Sequence, residues 1–356
     1  MALAMRVCFI TVGGTARMTG RHLYHREVFA QLRTSGATID ELVVSAVDLP
    51  AQRAASPDLG TRINLSRYDV LLIDALARAA VAPWLDLWRA RRPLVVLIHD
   101  LPSVACPNPD PQELSWEAPL LRADWLIAVS RYGANLLVER GVRRDRIMVA
   151  SGGYDRLDLP PTRESGWTPT VGVRALCVAQ WIPRKGIVEL VQAWGEVARP
   201  GDQLELIGET AVKLEYESEV RAAIAAAQRQ VLVRGALRDT ELRQAYAEAD
   251  LFVLATRYEG YGLVLAEALA YGLPVAAYAA GPLPELVGPD AGLLAPVGDQ
   301  ATFAANLARL LRDPTLREQM SGAARARVAT LPTWGDTSDR VANALGAAIV
   351  ARLIPA

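Results

Sequence analysis

The sequence predicts an α/β fold in which two successive domains each contain a parallel β-sheet with helices on both faces. The chain has 356 residues, which is too long for one ordinary core and sufficient for two. Short apolar runs alternate with helix-length amphipathic segments, and a stretch rich in proline, glycine and polar residues interrupts this alternation near residue 160. Apolar strands that alternate with helices are typical of a parallel sheet that is covered on both faces.

The first half of the chain predicts a Rossmann-like domain of residues 1–160. The expected strands are Arg6–Val12, Leu42–Val47, Val70–Asp74, Leu94–His99, Trp125–Ser130 and Ile147–Ala150. The expected helices include Arg21–Thr34, Pro83–Arg91 and Tyr132–Arg140. The proline- and glycine-rich stretch that follows predicts an interdomain linker at residues 161–170.

The second half predicts another Rossmann-like domain at residues 171–333. Its expected strands are Ala175–Ala179, Leu204–Ile207, Val231–Val233, Leu251–Ala255 and Val275–Tyr278. Its expected helices include Ile187–Ala198, Val212–Gln228, Glu241–Ala249 and Leu263–Tyr271. Residues 334–356 predict a final helix that crosses back to the first domain, and two such domains in tandem predict a ligand cleft at the carboxyl ends of both sheets.

The bulk composition excludes several classes of protein. A formal net charge of −1 argues against a nucleic-acid partner, which normally requires a basic surface. Cys8, Cys106 and Cys177 are scattered, which predicts reduced structural thiols in a cytoplasmic protein. The three histidines do not pair with cysteines at ligand spacing, so we expect no metal. The apolar start fits a buried strand rather than a signal peptide, and no window reaches the ~18 apolar residues of a membrane span.

The run from Thr256 to Ala268 is the strongest functional signal. Gly260 and Gly262 follow a predicted strand and precede a helix, so backbone N–H groups there could bind the anionic oxygens of a diphosphate. Glu259 lies in this loop, and Glu267 lies eight residues later within an apolar helix, where an unpaired charge would be costly. The two carboxylates therefore predict hydrogen bonds to sugar hydroxyls, although an acidic loop and a solvated helix residue would look similar.

The segment from Val178 to Gly186 predicts a second part of the same site. It places Arg184 and Lys185 in the first strand-to-helix turn of the second domain, where cations could neutralise phosphates. The chain contains only one other lysine, Lys213, which makes a lysine within a motif more informative. An ordinary solvated basic turn remains the alternative.

Together these motifs resemble the retaining nucleotide-sugar glycosyltransferases of family 4, which have the GT-B fold of two Rossmann-like domains. The similarity lies in Lys185 with its following glycine and in the Glu259 to Glu267 spacing. It continues through shorter segments of the second domain to Trp334. The resemblance implies a hexosyltransferase that uses a nucleoside-diphosphate sugar and a hydroxyl acceptor, and that needs no metal or other cofactor.

The resemblance also implies roles for individual residues. Glu259 would bind the donor sugar near the reacting carbon, Glu267 the ribose, and Lys185 the leaving diphosphate. Supporting donor contacts are implied for the residues Arg184, Gly260, Tyr261, Gly262 and Leu263. The family commonly has an arginine five positions before the lysine, whereas this chain has Gln180, so phosphate binding is expected to depend on another cation or to be weaker.

The first domain resembles the family less closely. Gly14 and Gly20 lie in a glycine-rich loop after the first strand, and family members use a similar loop near the diphosphate. His99 ends a predicted strand where the family often has a histidine that contacts the donor sugar. A plain turn and a structural histidine are the respective alternatives.

Two aromatic and basic segments of the first domain suggest peripheral contact with the inner membrane face. One contains His22 and His25, and the other contains Trp84 and Trp88 with nearby arginines. Ordinary amphipathic helices explain both segments equally well.

Two other functions remain alternatives to glycosyl transfer. One is a non-catalytic nucleotide-sugar-binding protein, for which Gln180 is the support. The other is an NAD-dependent dehydrogenase, which the spacing of the first glycine-rich loop does not favour because that loop lacks G-x-G-x-x-G.

Overall fold

The computed structural model describes residues 5–13, 19–46, 48–101, 103, 110–157 and 172–353. The chain divides into two compact units. Unit 1 contains residues 1–152 together with 332–356, and unit 2 contains residues 153–331. The predicted linker, Gly14 and Cys106 lie outside the described residues.

Unit 1 is built on a parallel sheet of six strands. The strands are β1 (Arg6–Val12), β2 (Thr38–Val44), β3 (Val70–Asp74), β4 (Leu94–Ile98), β5 (Trp125–Ala128) and β6 (Ile147–Val149). Their order is β2-β1-β3-β4-β5-β6, and every pairing is parallel. Strands β3 and β4 are buried along their whole length, which explains why their sequences contain almost no polar residues.

Helices cover this sheet. Within the described residues they are α1 (Gly20–Thr34), α2 (Leu49–Arg62), α3 (Arg78–Val81), α4 (Leu85–Arg91), α5 (Pro111–Leu121), α6 (Arg131–Glu139) and α14 (Trp334–Leu353). Helix α14 packs on α1 and on strands β3 to β6. Its Trp334 is 2% exposed and lies edge-on to Tyr24, while the hydroxyl of Thr337 donates to the carbonyl of Ser151. The final helix therefore belongs to the core of unit 1.

Unit 2 repeats this architecture. Its strands are β7 (Arg174–Val178), β8 (Gln203–Ile207), β9 (Gln230–Gly235), β10 (Leu251–Leu254), β11 (Val275–Tyr278) and β12 (Gly292–Ala295). They form a second parallel sheet in the order β12-β11-β10-β7-β8-β9. Its helices are α7 (Ile187–Val197), α8 (Leu214–Ala227), α9 (Asp239–Glu248), α10 (Leu263–Ala270), α11 (Leu283–Val287), α12 (Gln300–Arg312) and α13 (Pro314–Val328). The predicted fold class of two doubly wound α/β domains is confirmed.

Some elements differ from the sequence-based prediction. Strand β2 begins at Thr38 and ends at Val44, whereas the apolar run had predicted Leu42–Val47. The reason is its register with β1, which pairs Arg6 with Thr38 and Val12 with Val44 and thus includes exposed polar residues at the sheet edge. Strand β12 and helices α2 and α5 were not predicted as elements, because their short or proline-containing sequences lack a clear period.

The two tryptophans of the suggested membrane-contact segment lie within unit 1. Trp88 is 2% exposed, and Trp84 is half-buried with its indole N–H donating to the carbonyl of Ser56 at 2.9 Å. His25 is also buried, at 6% exposure. The structure therefore does not support the suggestion that these three side chains form a membrane-facing surface. Within the described residues, no helix combines the length and apolar character that crossing a membrane requires.

Cys8 and Cys177 agree with the prediction of structural thiols. Both are free and buried, in β1 and β7 respectively. Burial raises the pKa of each thiol to about 12, so neither is a reactive thiolate near neutral pH.

Candidate functional site

The candidate site of unit 2 is formed by two loops that follow adjacent strands. One loop leads from β7 through a short turn, Pro183–Lys185, to α7, and the other leads from β10 to α10. Because β7 and β10 are hydrogen-bonded neighbours, both loops leave the same edge of the sheet. The N–H of Arg257 donates to the carbonyl of Arg184 at 2.8 Å, which joins the loops directly.

Gly186 makes the close approach of these loops possible. It has a φ of +65°, and a Cβ at this position would lie 2.0 Å from the carbonyl oxygen of Ala255. No L-residue with a side chain fits there without moving the backbone. Steric exclusion therefore explains why a glycine follows Lys185, which the sequence pattern alone did not reveal.

Lys185 and Glu259 form a direct ion pair. The Lys185 Nζ lies 2.5 Å from Glu259 Oε1, and the Arg184 guanidinium lies 3.9 Å from the same oxygen. Glu259 is 7% exposed. Burial by itself raises the pKa of its carboxyl group, but the two cations outweigh burial, and the pKa lies below its ordinary value. Glu259 is therefore an ionised hydrogen-bond acceptor at neutral pH.

The N-terminus of helix α10 follows this pair without a side-chain cap. Gly262 precedes the helix with a φ of +103°, and the positive φ lies here rather than at Gly260. A Cβ on Gly262 would lie 2.8 Å from Leu283 Cδ2. The first turn of this helix, which begins at Leu263, presents backbone N–H groups and the positive end of the helix dipole, as the sequence had predicted. The side chain of Tyr261 packs against the core of unit 2 instead.

Glu267 lies in α10 within a buried polar cluster. Its Oε1 accepts hydrogen bonds from Arg156 Nε at 3.1 Å and from Arg156 Nη2 at 2.8 Å. Its Oε2 lies 3.0 Å from the hydroxyl of Tyr246. The second terminal nitrogen of Arg156 bonds to Asp239 at 2.5 Å. Both Glu267 and the Arg156 side chain are almost fully buried, at 3% and 6% exposure.

No sequence pattern had predicted Arg156, Tyr246 or Asp239 as part of the site. Arg156 follows a glycine-containing turn after β6, and it lies 111 residues from Glu267 in sequence. The apolar setting of Glu267 had indicated that a partner must exist, because an unpaired buried carboxylate is costly. That apolar setting did not indicate which residue would supply the compensating positive charge.

Gln180 does not supply the cation that the family resemblance had implied at its position. Its side-chain amide donates to Glu209 at 2.9 Å. The carboxylate of Glu209 adds negative charge to this part of the loop region. Lys185 and Arg184 are therefore the cations that the structure places beside Glu259.

His99 lies in unit 1 directly after β4, where the sequence predicted it. Its Nε2 is 3.1 Å from the Nε2 of His25 in α1, and the ring of Tyr24 lies edge-on to it. Burial lowers the pKa of His99 well below its ordinary value and lowers that of His25 to about 4. In such a pair one nitrogen donates and the other accepts, so both rings are neutral at physiological pH.

The remaining predicted residue of unit 1 is Gly20. It is exposed and forms the first residue of α1, directly after the N-cap Thr19, whose side chain accepts from the N–H of His22. Among the described residues, no group of three or more His, Cys, Asp or Glu side chains could hold a metal ion.

Two family models match the chain over these units. The model described as Glycosyltransferase Family 4 matches residues 25–156, and the model described as Glycosyl transferases group 1 matches residues 169–327. The chain therefore contains a family 4-type and a group 1-type glycosyltransferase domain and has the GT-B type of fold.

Individual relatives agree with this assignment. The chain is 34% identical over 198 residues to a GDP-mannose-dependent monoacylated alpha-(1-6)-phosphatidylinositol monomannoside mannosyltransferase of Corynebacterium glutamicum, which covers 53% of this chain and 51% of that protein. It is 30% identical over 290 residues to a D-inositol 3-phosphate glycosyltransferase of Nocardia farcinica, with 75% and 64% coverage. The chain thus spans about half the length of the first of these relatives and somewhat less than two thirds of the second.

Solved structures share the fold. Sucrose-phosphate synthase from Thermosynechococcus elongatus superposes with a TM-score of 0.80 at 22% identity, covering 98% of this chain and all of that one. Anabaena HepE, determined in complex with UDP and glucose, superposes with a TM-score of 0.74 at 18% identity, covering 96% and 100%. At these identities the similarity concerns the fold.

Proposed function

We propose that the protein is a retaining glycosyltransferase that transfers a hexose from a nucleoside-diphosphate sugar to a hydroxyl acceptor. The observation that carries this proposal is the pairing of Lys185 with Glu259 beside the uncapped N-terminus of α10. A cation, an ionised carboxylate and a helix N-terminus together suit a ligand that has both a diphosphate and a sugar. The relatives named as mannosyltransferase and inositol phosphate glycosyltransferase support the same class of reaction.

Lys185 can serve Glu259 and a diphosphate at the same time. An ammonium group has three N–H donors, and the contact with Glu259 Oε1 uses one of them. The others could donate to phosphate oxygens, with Arg184 adding positive charge from its half-exposed position. Negative charge that develops on the departing diphosphate would thus be stabilised by groups already in place, which is an efficient form of electrostatic catalysis.

Glu259 would accept hydrogen bonds from hydroxyls of the donor sugar. Its lowered pKa keeps the carboxyl group ionised, so it can accept but not donate. The bond between the anomeric carbon and the diphosphate breaks as a bond to the acceptor oxygen forms on the same face. The acceptor proton passes to a diphosphate oxygen, so the reaction requires no separate protein base. His99 is a neutral ring, so any part it takes in donor binding would be as a hydrogen-bonding group rather than as a cation.

A release assay tests this proposal. The purified protein is incubated with UDP-glucose, GDP-mannose and ADP-glucose, with and without hydroxyl acceptors, and the nucleoside diphosphate released is measured. We expect acceptor-dependent release with one donor, and a product whose anomeric configuration by NMR equals that of the donor. Inversion would contradict the retaining mechanism, and the absence of release with every donor and acceptor would contradict the enzymatic function.

Gln180 supports one alternative, a nucleotide-sugar-binding protein without turnover. Its neutral amide and the adjacent Glu209 replace positive charge by negative charge near the diphosphate position implied by the family. The same assay separates the two functions when it is combined with calorimetry. Donor binding without release under any acceptor condition would favour the binding protein.

A further inference from the structure

Arg156 and Tyr246 together occupy most, but not all, of the hydrogen-bonding capacity of Glu267. A carboxylate has about four acceptor positions, two on each oxygen. Arg156 donates twice to Oε1, and the hydroxyl of Tyr246 lies within hydrogen-bond distance of Oε2. One acceptor position on Oε2 therefore remains. A ribose hydroxyl could use it without displacing the arginine.

The polar cluster around Glu267 is held together by ion pairs as well as by hydrogen bonds. Asp239, in the first turn of α9, takes the remaining terminal nitrogen of Arg156, and Tyr246 comes from the same helix. Within the part of the chain that the structure describes, the groups that act on the Glu267 carboxyl group are the Arg156 cation, the Asp239 carboxylate and the Tyr246 phenol. Arg156 is the positive charge among them. Breaking a buried ion pair by removing one partner leaves the other uncompensated, so Arg156 and Glu267 should act as a unit.

We propose that Arg156 is a positioning residue for donor binding: it orients the Glu267 carboxylate and supplies its counter-charge, leaving one lone pair of Oε2 for a ribose hydroxyl. This inference rests on the function proposed above. Arg156 acts through Glu267 and does not itself touch the donor.

The direction of the carboxyl pKa supports this role. Burial raises the pKa of Glu267 above its ordinary value, and Arg156 and Tyr246 only partly offset burial. Without Arg156 the carboxyl group would hold its proton to a higher pH. A protonated carboxyl group is a poorer acceptor for a ribose hydroxyl, so donor affinity would become dependent on pH.

The test measures binding of UDP, GDP and ADP by calorimetry from pH 6 to pH 9. The variants are Arg156→Met, Arg156→Lys and Arg156→Met combined with Glu267→Gln. We expect Arg156→Met to bind the preferred diphosphate about tenfold or more weakly at pH 6, with affinity that recovers as the pH rises. Arg156→Lys should recover part of the affinity, because lysine supplies the charge but not the two-nitrogen contact. The double variant should bind weakly at every pH.

A matched control removes another arginine–carboxylate pair of unit 2. Arg174 lies 3.1 Å from Glu248, and both side chains are about half exposed. Arg174→Met should therefore bind the diphosphate with wild-type affinity and pH profile.

Thermal unfolding without nucleotide gives a second readout for variants that fold poorly enough to obscure binding. In Arg156→Met the folded state retains a proton on Glu267 that the unfolded chain releases. The stability of Arg156→Met should therefore fall as the pH rises from the ordinary carboxyl pKa through the raised pKa of Glu267. Adding Glu267→Gln should abolish this dependence of stability on pH. A purely structural arginine would lower the unfolding temperature without extending this Glu267-dependent slope to a higher pH than in the wild type.

The outcomes distinguish the two proposals. If the wild-type protein binds none of the three diphosphates, both the proposed function and the role of Arg156 are overturned. If the wild type binds one of them and Arg156→Met keeps its affinity and pH profile, only the role of Arg156 is overturned.

Discussion

Replacing Lys185 by methionine tests the site most directly, because it removes one partner of a buried ion pair. The lysine nitrogen lies 2.5 Å from Glu259 Oε1, and Glu259 is 7% exposed. Breaking a buried pair costs about 3–5 kcal/mol. Arg184 remains 3.9 Å from the carboxylate and offsets part of the loss, so we expect the lower end, about 3 kcal/mol. For a unit of this size, that corresponds to a fall in Tm of about 6–12 °C.

Calorimetric unfolding of a double-mutant cycle measures this coupling. Lys185→Met should be strongly destabilised, whereas Lys185→Met combined with Glu259→Gln should recover most of the loss, because it leaves no unpaired charge. In the release assay, Lys185→Met and Glu259→Gln should each lower turnover about a hundredfold or more. The first variant removes the ammonium group that stabilises the leaving diphosphate, and the second removes the carboxylate that holds this ammonium group in position. The exposed Lys213 provides the control, and Lys213→Met should retain both stability and turnover.

Two results would refute this reasoning. A double variant no more stable than Lys185→Met would show that the two side chains are not coupled. Turnover of Lys185→Met near the wild-type rate would remove the proposed role of the lysine in catalysis, whatever its effect on stability.

Three further predictions concern the folding of the two units, one in unit 2 and two in unit 1. Gly186→Ala should destabilise unit 2 by more than Gly235→Ala in urea unfolding. Both glycines have a positive φ, but a Cβ on Gly186 would clash with the Ala255 carbonyl, whereas a Cβ on Gly235 meets nothing within 4 Å. Equal losses of stability would contradict the steric argument. Because the pKa of His25 is lowered to about 4, the stability of the wild type should fall as the pH drops from the ordinary histidine pKa to about 4. His25→Gln should flatten this dependence of Tm on pH. An unchanged slope would exclude His25 as its source. Trp334→Ala should destabilise unit 1 by about 3–5 kcal/mol in urea unfolding because the ring is buried, and a loss below about 1 kcal/mol would show that α14 is not part of that core.

Much of the fold was predictable because strand and helix patterns are local. The runs at Arg6–Val12, Val70–Asp74 and Val275–Tyr278 are strands with the predicted bounds. Their continuous apolar character follows from burial on both faces of a parallel sheet. Where a strand lies at a sheet edge, as β2 does, pairing with its neighbour decides its bounds, and the local pattern is then misleading.

The candidate site was predictable only in part, for a related reason. Lys185 and Glu259 each occupy the loop that follows a strand, and a parallel sheet brings such loops to one edge, so their proximity could be expected from the sequence. That they form a direct ion pair depends on the joining of the two loops at Gly186, which is a property of the folded backbone.

The sequence by itself determined the alternation of strands and helices, the family and the loops that contain the candidate site residues. Only the tertiary structure decided the partners: Arg156 for Glu267 across 111 residues, and His25 for His99 across 74. Periodicity and spacing report on residues that are close along the chain. A buried charge or ring also requires a partner, and any of many distant residues could supply it until the chain has folded around one of them.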